Sequence, residues 1–319
     1  MKKYFLLPVI FFAIAISKSN AQDRNFTAID EYVEKLGPLE NFNVATIADT
    51  ITRHFTKKYD KARAIYYWIA NNIAIDPKAS KSNDNKLSDP VNVVRLRKAT
   101  AAGFASLVQE MCSMANIRCL TADGYVKHDA KDINNKADEI NFTWNVVQLG
   151  QSPEEWFYID ACKASGYIDS KMTTFTKLFT GDYFFADKTL FNLDHYPDNE
   201  AWKLGEAPKS LREFYSLPVI SNAAYLYGLK KPKPVNGSIK AKLNTPVAFS
   251  FSHNDSSTIK NIYFVIGDEK KQQKSDPVVF KDEKAVVSFS FKFKIPGAYP
   301  VKIFVNEKEL LQYYIEVED

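Results

Sequence analysis

The sequence predicts an α+β domain followed by an all-β sandwich, and three observations lead to this prediction. Apolar residues recur at helical spacing through much of the first 115 residues. Short alternating segments follow up to residue 160, so helices come first and antiparallel strands second. Beyond residue 235 only alternating segments remain, and all four tryptophans lie before residue 229. A chain of 319 residues is also long enough for two cores.

Residues 1–21 have the layout of a secretory signal peptide. A basic start at Lys2 and Lys3 precedes an apolar run, and Ala21 ends the segment before Gln22. The apolar run is too short to cross a bilayer, so we expect no integral membrane anchor. The sequence therefore predicts a secreted or periplasmic protein, cleaved after Ala21.

Helices are expected to begin the first domain, which we place at residues 22–228. Apolar residues recur three and four apart over 30–36, 46–75 and 101–115. The intervening segment 76–89 is rich in Lys, Ser, Asn and Asp, and we expect an exposed loop there.

Three strands are predicted after the last of these helices, at 118–126, 141–149 and 156–160. The last two are expected to pair as a hairpin across 150–154. If the final strand continued, Asp160 and Cys162 would point to the same face of the sheet.

The Pro- and Lys-rich segment 229–236 is predicted to be a stiff, solvated linker to a second domain at 237–319. Strands are expected there at 238–243, 247–251, 259–266, 285–292, 299–305 and 312–317. Short strands at this spacing suggest a small sandwich of immunoglobulin-like character, which would serve as a spacer or docking module.

Charge and cysteine content narrow the range of partners. The chain has 42 Lys and Arg against 38 Asp and Glu, interspersed in sequence, so no nucleic-acid partner is expected. Neither the histidines nor Cys112, Cys119 and Cys162 have metal-ligand spacing, so no metal or other cofactor is predicted. Three cysteines leave at least one free thiol unless chains pair, and Cys112 falls on the apolar face of the predicted 101–115 helix.

Three segments of the first domain, Arg97–Leu107, Phe142–Asn145 and Trp156–Asp160, carry a specific resemblance. They resemble the transglutaminase-like superfamily, in particular its kyphoscoliosis-peptidase-like branch, and the likeness extends over roughly residues 45–220. The resemblance implies a papain/transglutaminase-like fold for the helix-plus-sheet domain. It also implies that the family's catalytic Cys, His and Asp positions correspond to Ala101, Phe142 and Asp160.

Two of these three positions lack the chemistry that the triad needs. The Ala101 methyl group cannot attack a carbonyl, and the Phe142 ring cannot carry a proton. We expect Asp160, the surviving triad position, to be buried and to accept hydrogen bonds from donors such as Trp144 or backbone amides, with no histidine to orient. The residues expected to line a binding groove are Gly103, Phe104, Trp144, Asn145 and Cys162.

The leading hypothesis is a non-catalytic module that binds a peptide or another protein, or serves as a scaffold. The alternative is a cysteine peptidase, amidase or transglutaminase acting on peptides or wall cross-links, with Cys162 as a relocated nucleophile. Thr100 and Ser106 are weaker candidates because no base is evident beside them, and His195 is interpreted as structural. A third hypothesis makes both domains structural parts of an envelope assembly.

Overall fold

The computed structural model describes residues 25–82, 85–149, 156–169, 171–268 and 271–319. The predicted signal peptide at 1–21 and the predicted hairpin turn at 150–154 lie outside these residues. No helix in the described ranges is both long enough and apolar enough to span a membrane.

Helices dominate the first part of the chain, as predicted. Local side-chain caps set several of their starts: the amide of Thr46 donates to Asn43 at 2.8 Å, and the amide of Asn92 donates to Asp89 at 2.9 Å. The α-helices are α1 Thr27–Leu36, α2 Val44–Thr52, α3 Lys58–Asn72, α4 Pro77–Ser82, α5 Pro90–Leu96, α6 Ala101–Met114, α7 Ala161–Ser165, α8 Lys188–Asp194, α9 Leu211–Ser216 and α10 Asn222–Tyr227. Short 3-10 helices lie at Asn85–Ser88, Ala130–Asp132 and Glu200–Trp202.

Two helical predictions need correction. The segment 46–75 is not one helix, because α2 ends at Thr52, α3 starts at Lys58, and the chain is extended again by Ala74. The predicted loop 76–89 contains α4, whose start is fixed by a 2.9 Å bond from the amide of Ala79 to the Asp76 carboxylate. The segment is polar because only one face of that short helix is covered.

The strands fall into two regions of the molecule, one after the other along the chain. They are β1 Ala74–Ile75, β2 Lys98–Ala99, β3 Arg118–Val126, β4 Phe142–Gln148, β5 Trp156–Ile159, β6 Gly166–Ile168, β7 Phe175–Lys177, β8 His195–Pro197, β9 Val219–Ile220, β10 Lys230–Lys233, β11 Ser238–Lys242, β12 Pro246–Ser252, β13 Ile262–Ile266, β14 Gln273–Lys274, β15 Phe280–Glu283, β16 Val286–Lys292, β17 Gly297–Val305 and β18 Lys308–Glu318. The predicted antiparallel pairing of β4 with β5 is confirmed.

The first region is built on an antiparallel sheet in the order β5-β4-β3-β8. Helix α6 packs against β3 and β4, and α3 packs against α6 on the other side. Trp68 of α3, Leu107 of α6 and Val146 of β4 are fully buried in the shared core. The predicted helix-plus-antiparallel-sheet architecture is confirmed, and it brings the start of α6 and the strands of the sheet together.

The second region is a two-sheet sandwich. One sheet runs β10-β12-β16-β15, and the other runs β11-β18-β17-β13-β14 with β9 added against β18. Phe264 of one sheet packs at 5.4 Å between ring centroids from Phe249 of the other. All six predicted strands are present, so the all-β expectation is confirmed; β9, β10, β14 and β15 were not predicted.

The segment expected to be a solvated linker contributes a strand. Lys230 and Lys233 of β10 pair with Ser252 and Ser250 of β12 at the edge of the sandwich. A proline within the strand is tolerated there because an edge strand leaves one side of its backbone unpaired. The domain limits at 228 and 237 stay predictions.

Candidate functional site

The start of α6 is where the resemblance places a nucleophile. Thr100 caps the helix by accepting a 3.2 Å bond from the amide of Gly103, and Ala101 is the first helical residue. A thiol at such a helix start would be biased toward thiolate by the helix dipole. Ala101, half-buried, offers only a methyl group. The Thr100 hydroxyl is committed to the cap and lies 3.0 Å from the Ser88 hydroxyl.

Gly103 and Phe104 belong to the packing of α6 and not to an open surface. A Cβ on Gly103 would lie 1.9 Å from the backbone oxygen of Leu87. The Phe104 side chain is 1% exposed. Both residues were expected to contact a ligand, and in the structure both are buried.

Strand β4 carries the position that corresponds to the base. Phe142 opens the strand, is half-buried, and has its ring centroid 5.7 Å from that of His195. Trp144 lies 5.1 Å from the same imidazole, and Asn145 donates at 2.9 Å to the backbone oxygen of Ala105. Trp144 and Asn145 are each 1% exposed, so they too support the core and do not line a groove.

Asp160 is buried and hydrogen-bonded, as predicted. It is the N-cap of α7, where its Oδ1 accepts a 2.9 Å bond from the amide of Lys163. The expectation that Trp144 would be a donor is wrong, because its Nε1 has no hydrogen-bond partner among the described residues. The strand also stops at Ile159, so Asp160 and Cys162 do not share a strand face.

The prediction that no histidine would accompany Asp160 is wrong. His195, the first residue of β8, places Nε2 3.1 Å from Asp160 Oδ2. The imidazole is fully buried and stacks on Phe191 with a centroid distance of 3.9 Å. Sequence reasoning missed this contact because the two residues are far apart in the chain. The available signal was an Asp194-His195 pair at the end of a short apolar helix.

His195 lies between two carboxylates. Its Nδ1 is 3.5 Å from Asp194 Oδ2 but has no hydrogen-bond partner in the described part of the chain. Burial lowers the pKa of His195, and this effect outweighs the opposing influence of Asp194. The imidazole is therefore held in its neutral form at neutral pH.

Lys163 forms an ion pair with Asp194, the second carboxylate beside His195. Its Nζ lies 2.6 Å from Asp194 Oδ1, and the Tyr225 hydroxyl donates to Asp194 Oδ2 at 3.1 Å. Burial alone would raise the pKa of Asp194, but Lys163, His195 and the hydrogen bonds together lower it. Lys163 and the Tyr225 hydroxyl thus contact the two oxygens of Asp194.

Cys162 does not fit the role of a relocated nucleophile. Its side chain is 3% exposed, and burial together with the nearby Asp160 raises the pKa of the thiol well above its ordinary value. A nucleophilic cysteine needs the opposite, an accessible thiolate. With Cys162, all five predicted binding residues are buried: Gly103, Phe104, Trp144, Asn145 and Cys162.

The chain is similar in sequence to several known proteins. Residues 45–161 match the Transglutaminase-like superfamily. The chain is 31% identical over 205 residues to kyphoscoliosis peptidase of Mus musculus, and 30% identical over 205 residues to the Homo sapiens protein; each match covers 61% of this chain and 31% of the relative. Lim and transglutaminase domain protein ltd-1 of Caenorhabditis elegans is 26% identical over 220 residues, covering 64% of this chain and 29% of that protein. The chain spans about a third of the length of these relatives.

Proposed function

We propose, from the premise that this chain belongs to the kyphoscoliosis-peptidase-like branch of the transglutaminase-like superfamily, that it is a non-catalytic module binding a peptide or protein. We further propose that it acts as a secreted or periplasmic protein, on the layout of residues 1–21. The observation that carries the proposal is which residues stand at the three positions of the triad. Ala101 has no nucleophilic group. Asp160 caps a helix and is the hydrogen-bond partner of the buried His195.

The acid and the imidazole do not by themselves give acyl-transfer chemistry. Such a reaction needs a nucleophile within hydrogen-bond reach of the base. Among the described residues, the imidazole of His195 is hydrogen-bonded to Asp160 alone, with no Ser, Thr or Cys hydroxyl or thiol as partner. Loss of the nucleophile removes most of a triad's effect, because its members act as a unit.

The peptidase, amidase or transferase alternative would need Cys162 to react. The buried thiol with its raised pKa argues against that route. A Cys162→Ala variant provides the test: under this proposal, peptide hydrolysis and amine incorporation are absent from wild type and variant alike. Turnover by the wild type that disappears in Cys162→Ala would overturn it.

We place the ligand-binding surface over Ala101 and Phe142, because these two positions are less buried than the other predicted site residues. Ala101 and Phe142 are both half-buried and pack against the same core. Lys163 has a side chain 21% exposed, and its Nζ is 5.9 Å from the centroid of the Phe142 ring. An apolar surface beside a lysine whose charge is already paired with Asp194 suits an apolar side chain of an extended peptide.

Binding can be tested on an array of random-sequence hexapeptides. We expect Phe142→Ala to reduce retention of the peptides that the wild type selects, because it removes the larger of the two half-buried apolar side chains, Ala101 and Phe142. Phe42→Ala is the matched control, since Phe42 is 47% exposed and lies between α1 and α2. Equal retention by all three proteins would contradict binding at this patch.

A further inference from the structure

The junction between the two regions, residues 234–238, contains an Asn-Gly pair. Asn236 and Gly237 are the only such pair in the sequence, and Asn236 is exposed. The side chain of an asparagine can react with the backbone amide of the residue that follows it, and glycine hinders that amide least because it has no side chain. The pair is therefore the point of this chain most prone to spontaneous deamidation whenever the Gly237 amide is free to move.

Gly237 is held from both sides in the folded chain. Its amide donates at 2.7 Å to the carbonyl of Ser216, the last residue of α9, and its carbonyl accepts a 2.9 Å bond from the amide of Tyr314 in β18. A Cβ on Gly237 would lie 2.6 Å from the backbone oxygen of Leu217, so a larger residue does not fit this close approach. The nitrogen that would attack Asn236 is thus occupied and packed against the end of the first region.

We propose that Asn236 is a latent self-modification site, at which docking of Gly237 onto Ser216 suppresses deamidation. Once released, the Gly237 nitrogen loses its proton and attacks the side-chain carbonyl carbon of Asn236. The bond from that carbon to the side-chain amino group breaks, and the amino group takes up the proton and leaves as ammonia. Water then opens the cyclic imide at either carbonyl, which gives aspartate or isoaspartate at position 236.

The fold controls the rate through how often the junction opens. The Gly237 amide cannot turn toward the side chain of Asn236 without leaving the carbonyl of Ser216. Reaction in the folded chain therefore proceeds only from locally or globally opened molecules, which are a small fraction of the population. Deamidation at Asn236 consequently records how long the contact between the two regions has been broken.

The two products differ in what they do to the junction. Aspartate changes only an exposed side chain. Isoaspartate carries the backbone through the former side chain, which inserts a methylene group before Gly237. The chain is fixed on both sides of this insertion, because the Pro234 carbonyl accepts a 3.1 Å bond from the Tyr313 hydroxyl and the Gly237 amide is bound to Ser216. A chain with isoaspartate should therefore dock less stably than one with aspartate.

The suppression is tested on the full chain at neutral pH, kept either folded or unfolded in urea. Peptide mapping by mass spectrometry measures asparagine, aspartate and isoaspartate at position 236 over time. We expect Asn236 to be lost about tenfold faster, or more, from the unfolded chain than from the folded one. Equal rates in the two samples, or no loss of Asn236 from the unfolded chain, would overturn the proposal.

The consequence is tested on the aged unfolded sample after it has been refolded. The mixture is digested with a protease at rising urea concentration, and the surviving chains are mapped. We expect isoaspartate to disappear from the survivors at lower urea than asparagine or aspartate. Asn236→Asp is the matched control and should unfold at the same urea concentration as the wild type, because it alters only an exposed side chain. Equal survival of isoaspartate and asparagine chains would contradict the fixed junction.

Discussion

Asp160 is a buried carboxylate with two structural roles. Its carboxylate accepts a hydrogen bond from the backbone amide of Lys163 at the start of α7, and it also contacts the buried imidazole of His195. Either interaction makes removal costly, because a buried donor would lose its acceptor. The sequence predicted the burial of Asp160 but not its pairing with His195, because that contact joins the end of β5 to β8, which are far apart in the chain.

A substitution at Asp160 should therefore affect stability. We expect Asp160→Ala to lower the free energy of unfolding by about 2–4 kcal/mol, from loss of the helix cap and of the partner of His195. Asp160→Asn is the matched control: it retains an acceptor for the Lys163 amide and should cost less. Urea denaturation followed by circular dichroism measures both, and equal losses would contradict the role of the cap.

The buried amine of Lys127 should make the stability of the protein depend on pH. Its Nζ donates to the carbonyl of Phe214 at 2.6 Å, and burial lowers the pKa of Lys127 to about 7. In the unfolded chain the pKa is about 10.4. Between these values the unfolded state binds more protons, so stability rises with pH from about 7 toward 10.

We expect Lys127→Met to flatten the rise of stability with pH. Urea denaturation at about pH 7, 8 and 9 measures it, because these values lie between the folded and unfolded pKa of Lys127. Lys171→Met, at an exposed position, should keep the wild-type slope. Identical slopes in wild type and Lys127→Met would show that Lys127 does not carry the effect.

Helix α6 illustrates what sequence patterns predict well at the level of elements. Its limits were predicted to within a residue, because a long apolar repeat runs through the whole helix. The same repeat could not reveal the break between α2 and α3, since both helices use the same spacing. It also could not reveal β10, because strand formation at Lys230–Lys233 depends on β12, which comes later in the chain.

A substitution at Gly103 tests the packing of α6 directly. We expect Gly103→Ala to lower the free energy of unfolding by about 1–3 kcal/mol or more, because the new methyl group would overlap the backbone oxygen of Leu87. Ser106→Ala, half-buried on the same helix, is the control and should change stability little. A Gly103→Ala protein as stable as wild type would contradict the close approach of Leu87.

The two regions of the molecule are joined by more than a connection in sequence. Val219 and Ile220 of β9 pair with β18 of the sandwich, and the Gln312 side chain accepts a 3.1 Å bond from the amide of Ala130. Composition indicated two cores, but it could not predict that a strand before residue 228 would extend the sandwich sheet. We infer that the regions unfold together.

Tryptophan fluorescence can test this coupling, because all four tryptophans lie before residue 229. Phe264 is fully buried in the sandwich, and Phe264→Ala should cost about 3–5 kcal/mol. We expect the fluorescence transition in urea to move to a lower concentration, although no tryptophan is near the change. Val286→Ala, at a position 44% exposed, is the control. An unmoved fluorescence transition in Phe264→Ala would mean that the regions unfold independently.

The central claim, a transglutaminase-like frame without an activated nucleophile, is tested most directly by thiol reactivity. The reduced, folded protein is treated with iodoacetamide at neutral pH, and the labelling rate of each cysteine is compared with that of free cysteine. We expect Cys112, Cys119 and Cys162 all to react more slowly than the free thiol, because each is buried. Labelling of Cys162 faster than free cysteine would contradict the account and restore the enzyme hypothesis.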